Sequence, residues 1–546
     1  MLLLAALLVL ASCAGGADTP GDSDRSDGGP PSSVVTTTGG KVRGVLGEGA
    51  GGNVETFYGI PYAAPPVGDL RWRPPQPPEP WTGVRDGGRR GRPCPQEGVL
   101  AVGSSEDCLF VNLSRPAGEA GRAGRKLPVL VWIHGGAFVA GSANSFDLSA
   151  LAANGPALVV AVNYRLGALG YLATPELNEE SGGQAGSYAV ADLVAALKWV
   201  RDNAAAFGGD PGNVTVFGES AGSLNICSLI AAPPARGLFH RAILQSGPCA
   251  WPLPTMQEAE RNGTEFARAL GCLGQDPAAR PPADEVLRCL RGKSIQEIME
   301  AGGGAQPAIL DALLWAPAVG GRTQPLPALE AVDAGTAADV PILIGTVRDE
   351  GRGFTTVWTG TQPVTDAMVD EIVRSKVPER ADAVLAAYPA GSAQPRERLA
   401  RIITDYVFTC PTIRSAYVFS AVGDMPVYLY EFDIPGFGPV ADGVATGATH
   451  GTEVGYLFPI DSPDAPSTPQ ERELSSAMID YWFRFAATGD PNKVPDGLGD
   501  TERLPTWPRW DAVRADRGEP DRLALEPGAI EQRAGLFGDH HCDVWW

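Results

Sequence analysis

NVTVFGESAGS, residues 213–223, is the stretch on which the reading of this chain turns. Residues 214–217 (VTVF) form a short β-branched and aromatic run of the kind that makes a buried strand. The run passes directly into Gly218-Glu219-Ser220-Ala221-Gly222, and residues 223–231 (SLNICSLIA) are small and apolar, as a buried helix requires. A serine on such a strand-to-helix turn matches the G-x-S-x-G nucleophile elbow. The turn forces the serine into a strained backbone conformation, and glycine at 218 and 222 leaves out side chains that would strike the adjoining strand and helix. Ser220 Oγ is then held out toward solvent.

Other apolar runs surround this one: 128–133 (PVLVWI), 157–162 (ALVVAV), 241–244 (RAIL), 340–344 (VPILI) and 427–432 (VYLYEF). Such near-continuous runs suit strands covered on both faces. Helical stretches lie between them. In 188–206 (YAVADLVAALKWVRDNAAA), Leu193, Leu197 and Val200 share one face, and Phe207-Gly208-Gly209-Asp210-Pro211 ends the helix. The alternation predicts an α/β architecture, a large mostly parallel central sheet flanked by helices. Residues 251–339 and 351–424 are expected to form helical excursions over the active site. From residue 34 to 546 there is no repeat and no second apolar run of membrane length, so one folded domain is expected.

A serine hydroxyl needs a base, and the chain has five histidines. His134 precedes the glycines of a loop, His240 leads into a strand, and His540 and His541 stand at the C-terminal end. His450 lies in a Gly- and Ala-rich loop after the strand at 427–432 and is the natural base. A carboxylate must hold the imidazole tautomer and stabilise the imidazolium. Arg348-Asp349-Glu350-Gly351, beyond the strand at 340–344, offers Asp349 and Glu350, between which residue type does not choose. The developing oxyanion needs preorganised donors. Trp132-Ile133-His134-Gly135-Gly136-Ala137-Phe138 supplies a glycine-rich loop after a strand. The N–H groups of Gly136, Ala137 and Ala221 are the expected oxyanion hole.

Composition narrows the partners and the compartment. With 43 Lys and Arg against 64 Asp and Glu, the net charge of −21 opposes binding to nucleic acid or anionic lipid. MLLLAALLVLASC, residues 1–13, is too short to span a bilayer and reads as a signal-peptide core, although no Lys or Arg precedes it. Leu10-Ala11-Ser12-Cys13 resembles a bacterial lipobox, which makes residues 1–12 the signal and Cys13 the lipidated membrane tether. The expectation is an exported bacterial cell-surface lipoprotein, with secretion as the alternative. Residues 14–33 are mostly Gly, Asp, Ser and Pro and are expected to act as a flexible linker. Eight further cysteines permit disulfides in an exported protein.

At this point the chain resembles the type-B carboxylesterase family, which includes the cholinesterases and cholesterol esterases. The resemblance runs from residue 34 to the C-terminus. It rests on FYGIPYA (57–63), EDCLFVN (106–112), NYRLG (163–167), FGGDP (207–211) and GESAG (218–222). It implies an α/β-hydrolase fold, with Glu350 in the acid position and His450, followed by Gly451, as base. It also implies that Glu219 lines the site and that Ser246 supports the triad from behind. Cys94 with Cys108, Cys272 with Cys289 and Cys410 with Cys542 would pair as in the family, leaving Cys227 and Cys249 as buried thiols. Only thirteen residues separate Cys94 from Cys108 and none is Trp, so the loop whose tryptophan binds choline in cholinesterases is missing. Gly353 stands where an aromatic would complete the cation–π cage. Trp251, Phe138, Phe354 and Trp358 are expected to line an apolar acyl or alcohol pocket.

The function expected is two-step acyl transfer on small neutral or apolar esters, with no metal and no organic cofactor. The alternative is a catalytically silent ligand-binding ectodomain on the same fold, but the presence of serine, acid and base argues against it.

Overall fold

The computed structural model describes residues 31–49, 52–118, 126–274, 276, 280–302, 313–359, 362–436, 444–459, 465–496 and 504–546. The expected signal peptide, Cys13 and the linker as far as residue 30 lie outside the described residues. Pro31, Ser32 and Ser33, read as the end of that linker, instead open the first strand and pair with the second.

The strands in chain order are β1 (Pro31–Thr36), β2 (Lys41–Gly49), β3 (Gly52–Pro61), β4 (Val84–Asp86), β5 (Phe110–Pro116), β6 (Leu127–Ile133) and β7 (Leu158–Val162). They continue with β8 (Gly209–Glu219), β9 (Arg241–Gln245), β10 (Ile342–Val347), β11 (Val427–Phe432), β12 (Arg522–Glu526) and β13 (Ala529–Arg533). Among the described residues they form one 13-stranded sheet in the order β1-β2-β3-β5-β7-β6-β8-β9-β10-β11-β12-β13, with β4 beside β2. The centre, from β7 to β12, is parallel. The joins β1-β2, β2-β3, β3-β5, β5-β7 and β12-β13 are antiparallel, so the sheet is mixed.

Central strands are buried on both faces because alternate side chains enter different cores. Along β6, Val129, Val131 and Ile133 join one apolar core, while Leu130 and Trp132 join the other. The helix Tyr188–Asn203 packs into the first and Pro469–Thr488 into the second. A third core, around Phe354, Leu399 and Phe408, holds the helical excursion beyond β10. No helix among the described residues is long and apolar enough to cross a membrane.

Four disulfides close among the described residues. Cys94–Cys108, Cys272–Cys289 and Cys410–Cys542 match the family pairing. Cys227 and Cys249, expected as thiols, are instead bonded to each other. The helix Ala221–Ala231 leaves the end of β8, and the loop carrying Cys249 leaves the end of its parallel neighbour β9. These two exits bring the Cα atoms to 5.2 Å, within disulfide range.

The C-terminal segment is held by a buried ion cluster. His540 Nδ1 lies 2.5 Å from Asp405 and Nε2 lies 3.0 Å from Glu431, while Glu431 also meets Arg522 at 3.0 Å. Burial disfavours the imidazolium, but hydrogen bonds to Asp405 and Glu431 outweigh it and lift His540 to about 10. A raised pKa means that this contribution is full below the unfolded value of about 6.5 and is lost as pH rises through about 10. His540→Ala leaves buried Asp405 without its cation, while Glu431 keeps Arg522, and is expected to cost about 3–5 kcal/mol in urea unfolding at neutral pH. A loss below about 1 kcal/mol would show that the cluster does not hold this segment.

Candidate active site

The chain reverses direction across the sheet at β6: β7 is added on one side of it and β8 on the other. Such a reversal opens a crevice at the carboxyl ends of the strands, where α/β sheets place their sites. The loop after β6 and the turn after β8 both sit there. Ser220, between β8 and the helix Ala221–Ala231, has φ 55° and ψ −125°, a conformation that a serine adopts only under constraint. Its N–H donates to Gln245 O of β9 at 2.9 Å. A Cβ at Gly218 or Gly222 would come within 2.5 or 2.0 Å of Ile133 O, so β6 lies too close to the turn for any side chain.

Gly135, Gly136, Ala137 and Phe138 wrap over this turn. A Cβ on Gly135 would stand 2.5 Å from Glu219 Oε2 and 3.2 Å from Ser220 Cβ, which fixes the loop against the serine. Gly136, Ala137 and Phe138 have φ of 109°, 52° and 64°, and the Gly136 N–H donates to no described residue. Phe138 does not form a pocket wall as expected. It is fully buried, edge-on to Tyr171 at 5.2 Å, because the loop turns its side chain down into the core.

Glu350 and His450 reach the same crevice from β10 and β11. Glu350 is fully buried; its Oε1 accepts from Val347 N at 3.1 Å and its Oε2 lies 2.5 Å from His450 Nδ1. Asp349, the competing carboxylate, faces away and pairs with Arg352 at 3.0 Å. The other imidazole nitrogen, Nε2, lies 3.1 Å from Glu219 Oε1 without the alignment of a hydrogen bond. Ser220 Oγ has no hydrogen-bond partner among the described residues. Catalytic hydrogen bonds are often loose before substrate arrives.

The electrostatics of the pocket come from buried carboxylates around one imidazole. Burial alone would depress His450, but the charges of Glu219 and Glu350 lift it to about 9. Burial raises Glu219 to about 7; His450 opposes the rise and Glu350 adds to it. Glu453, which sequence reasoning missed, is fully buried and is pushed up to about 8 by burial and by the charges of Glu219 and Glu350. Gln245 Nε2 donates to Glu453 Oε1 at 3.3 Å and Trp482 Nε1 donates to Gln245 Oε1 at 3.2 Å, while Glu453 Oε2 has no partner among the described residues. Its signal in the sequence was an acid three positions after His450, one helical turn in the short turn that follows the base.

Of the aromatics, Phe354 stands 5.0 Å from the His450 ring and Phe408, also missed, stands 4.8 Å from it. Trp251 stands one ring further out, 6.2 Å from Phe408. The side chain of Trp358 lies outside the described residues. Ser246, which follows Gln245 of β9, has φ 49°, and its buried Oγ has no hydrogen-bond partner among the described residues, so no polar contact ties it to Ser220, Glu350 or His450.

Comparison with known proteins identifies the family and the fold. Residues 31–527 match the carboxylesterase family. The chain is 37% identical over 509 residues to a fumonisin B1 esterase of Sphingopyxis macrogoltabida, covering 89% of this chain and 86% of that one. It is also 37% identical over 471 residues to the para-nitrobenzyl esterase of Bacillus subtilis, covering 83% and 89%. An acylcarnitine hydrolase of Mus musculus is 33% identical over 491 residues, covering 84% and 82%. A solved PNB esterase superposes with a TM-score of 0.75 at 31% identity, over 94% of this chain and 99% of that one. On the matched length, the fold and these relatives together, the chain belongs to the carboxylesterase family.

Proposed function

We propose that the chain hydrolyses carboxylic esters through an acyl-enzyme formed on Ser220, with His450 as base and Glu350 as the acid that orients it. The observation that carries this is the 2.5 Å contact between Glu350 and His450 Nδ1 in the crevice where the strained Ser220 turn sits. His450 Nε2 leaves Glu219, takes the Ser220 proton, and the oxygen attacks the ester carbonyl. The oxyanion is received by the N–H groups of Gly136, Ala137 and Ala221. His450 then gives its proton to the departing alcohol, and water activated at the same nitrogen releases the acid.

The rings of Phe354 and Phe408 beside His450 support small neutral or apolar esters as substrates. An organophosphate is expected to stop activity at one equivalent, and peptide mass mapping to place the adduct on Ser220. Full activity with Ser220 unlabelled would overturn the assignment. We also propose that the protein is exported. Four disulfides suit an oxidising compartment, and the mature N-terminus is expected at a lipid-bearing Cys13.

A further inference from the structure

The aromatic wall beside His450 continues outward. Phe408 lies 4.8 Å from the imidazole and Trp251 lies 6.2 Å from Phe408. Trp251 is also a wall of a groove of about 180 Å³, together with Tyr406, Pro411, Arg414 and Trp545. Its walls are pinned. The loop carrying Trp251 is tied back by Cys227–Cys249, and Ala250 N donates to Ser415 Oγ at 3.0 Å. The C-terminal wall is tied to the helix Cys410–Tyr417 by Cys410–Cys542. Walls fixed in this way lower the ordering cost of binding a chain between them.

Arg414 is the one charged side chain among the residues that line this groove. It is exposed, and its guanidinium has no hydrogen-bond or ion-pair partner among the described residues. That is unusual in a chain with 64 acidic against 43 basic residues, where neighbouring Arg398 meets Asp366 and Asp370 and Arg401 meets Glu397. Arg414 stands six positions beyond Phe408, about 9 Å further along the helical segment at 1.5 Å per residue. A groove walled by Trp251, which packs through Phe408 toward His450, and carrying the guanidinium of Arg414 fits an apolar chain ending in an anion.

We propose that this groove is the distal subsite for the substrate and that Arg414 selects esters whose apolar chain ends in a carboxylate. The inference rests on the hydrolase reading and names a substrate class for it. The reaction is unchanged: water cleaves the ester to alcohol and acid, and the distal carboxylate takes no part in bond making. A planar guanidinium binds a carboxylate through two parallel N–H bonds, which a neutral chain end cannot accept.

The test compares charged and neutral esters of matched length. One series places the carboxylate on the acyl side, p-nitrophenyl half-sebacate against p-nitrophenyl decanoate. The other places it on the alcohol side, the acetate of ω-hydroxydecanoate against decyl acetate. In at least one series the charged-to-neutral ratio of kcat/KM is expected to fall about fivefold in Arg414→Gln, the order expected of a solvent-exposed pair. It should fall further in Arg414→Glu and be kept in Arg414→Lys. The change should lie in KM, and added salt should lower the wild-type ratio. Hydrolysis of p-nitrophenyl acetate should stay within twofold in every variant, which reports an intact fold. Ratios unmoved in both series, with neutral esters still cleaved, would overturn this inference alone; no hydrolysis of any ester by the wild type would overturn the hydrolase reading and this inference with it.

Discussion

Ser220→Ala is expected to lower kcat by about 10⁴–10⁶-fold while leaving KM within a few-fold. The alanine keeps the strained backbone, which is set by β6, β9 and the helix around it, so the fold should survive. What is lost is the oxygen that forms the acyl bond. His450→Ala should cost a similar factor, because an unassisted hydroxyl is a poor nucleophile at neutral pH. The double variant should cost little more than either single one, since serine and imidazole act as one unit. The residual rate over water would then come from the donors at Gly136, Ala137 and Ala221. Single-turnover kinetics with p-nitrophenyl butyrate, with circular dichroism as the control for folding, measure all three. Retention by Ser220→Ala of a tenth or more of the wild-type rate, or additivity in the double variant, would refute the acyl-enzyme route.

The parts of this architecture that were legible in the sequence are those where burial leaves a local signature. β11 was readable to its end residues, because both faces of VYLYEF are covered. β8 was readable only over its apolar end. Its first residues, Gly209-Asp210-Pro211-Gly212, are polar and glycine-rich, and their pairing with β6 restarts after an irregularity. The antiparallel strands toward the two ends of the sheet were not read: β2 (KVRGVLGEG) and β13 (AIEQR) carry exposed polar residues, which break up any apolar run. The same limit explains Glu453 and the bond between Cys227 and Cys249. Both depend on which strands lie side by side, and strand order is not written in any one segment. Asp349 and Glu350 differ by one position, and only the backbone beyond β10 turns one toward Arg352 and the other toward His450.

The three carboxylates around His450 should separate by what each does to rate and to pH. Glu350 alone meets Nδ1, so Glu350→Gln offers an amide that no longer fixes the tautomer and is expected to lower the plateau of kcat/KM by about 10⁴-fold. Glu219 faces Nε2, and Glu453 acts on the imidazole by its charge without a direct hydrogen bond. Neither is placed to orient the attack, so their amide variants should keep the plateau within about tenfold. Their mark should be on the pH profile. Negative charge near the imidazole favours its protonated form, and the base is available only above its own pKa, about 9 in the wild type. Removing the Glu219 charge therefore moves the rising limb to lower pH and increases the fraction of active base at neutral pH. Glu453→Gln should move it the same way by less, because its charge contributes less to the raised imidazole than those of Glu219 and Glu350. A profile of kcat/KM from pH 5 to 10 on an uncharged ester reads the free enzyme directly. A rising limb that stays in place or moves upward in Glu219→Gln would mean that this carboxylate does not set the imidazole's charge. A plateau that survives Glu350→Gln would remove Glu350 from the proton path altogether.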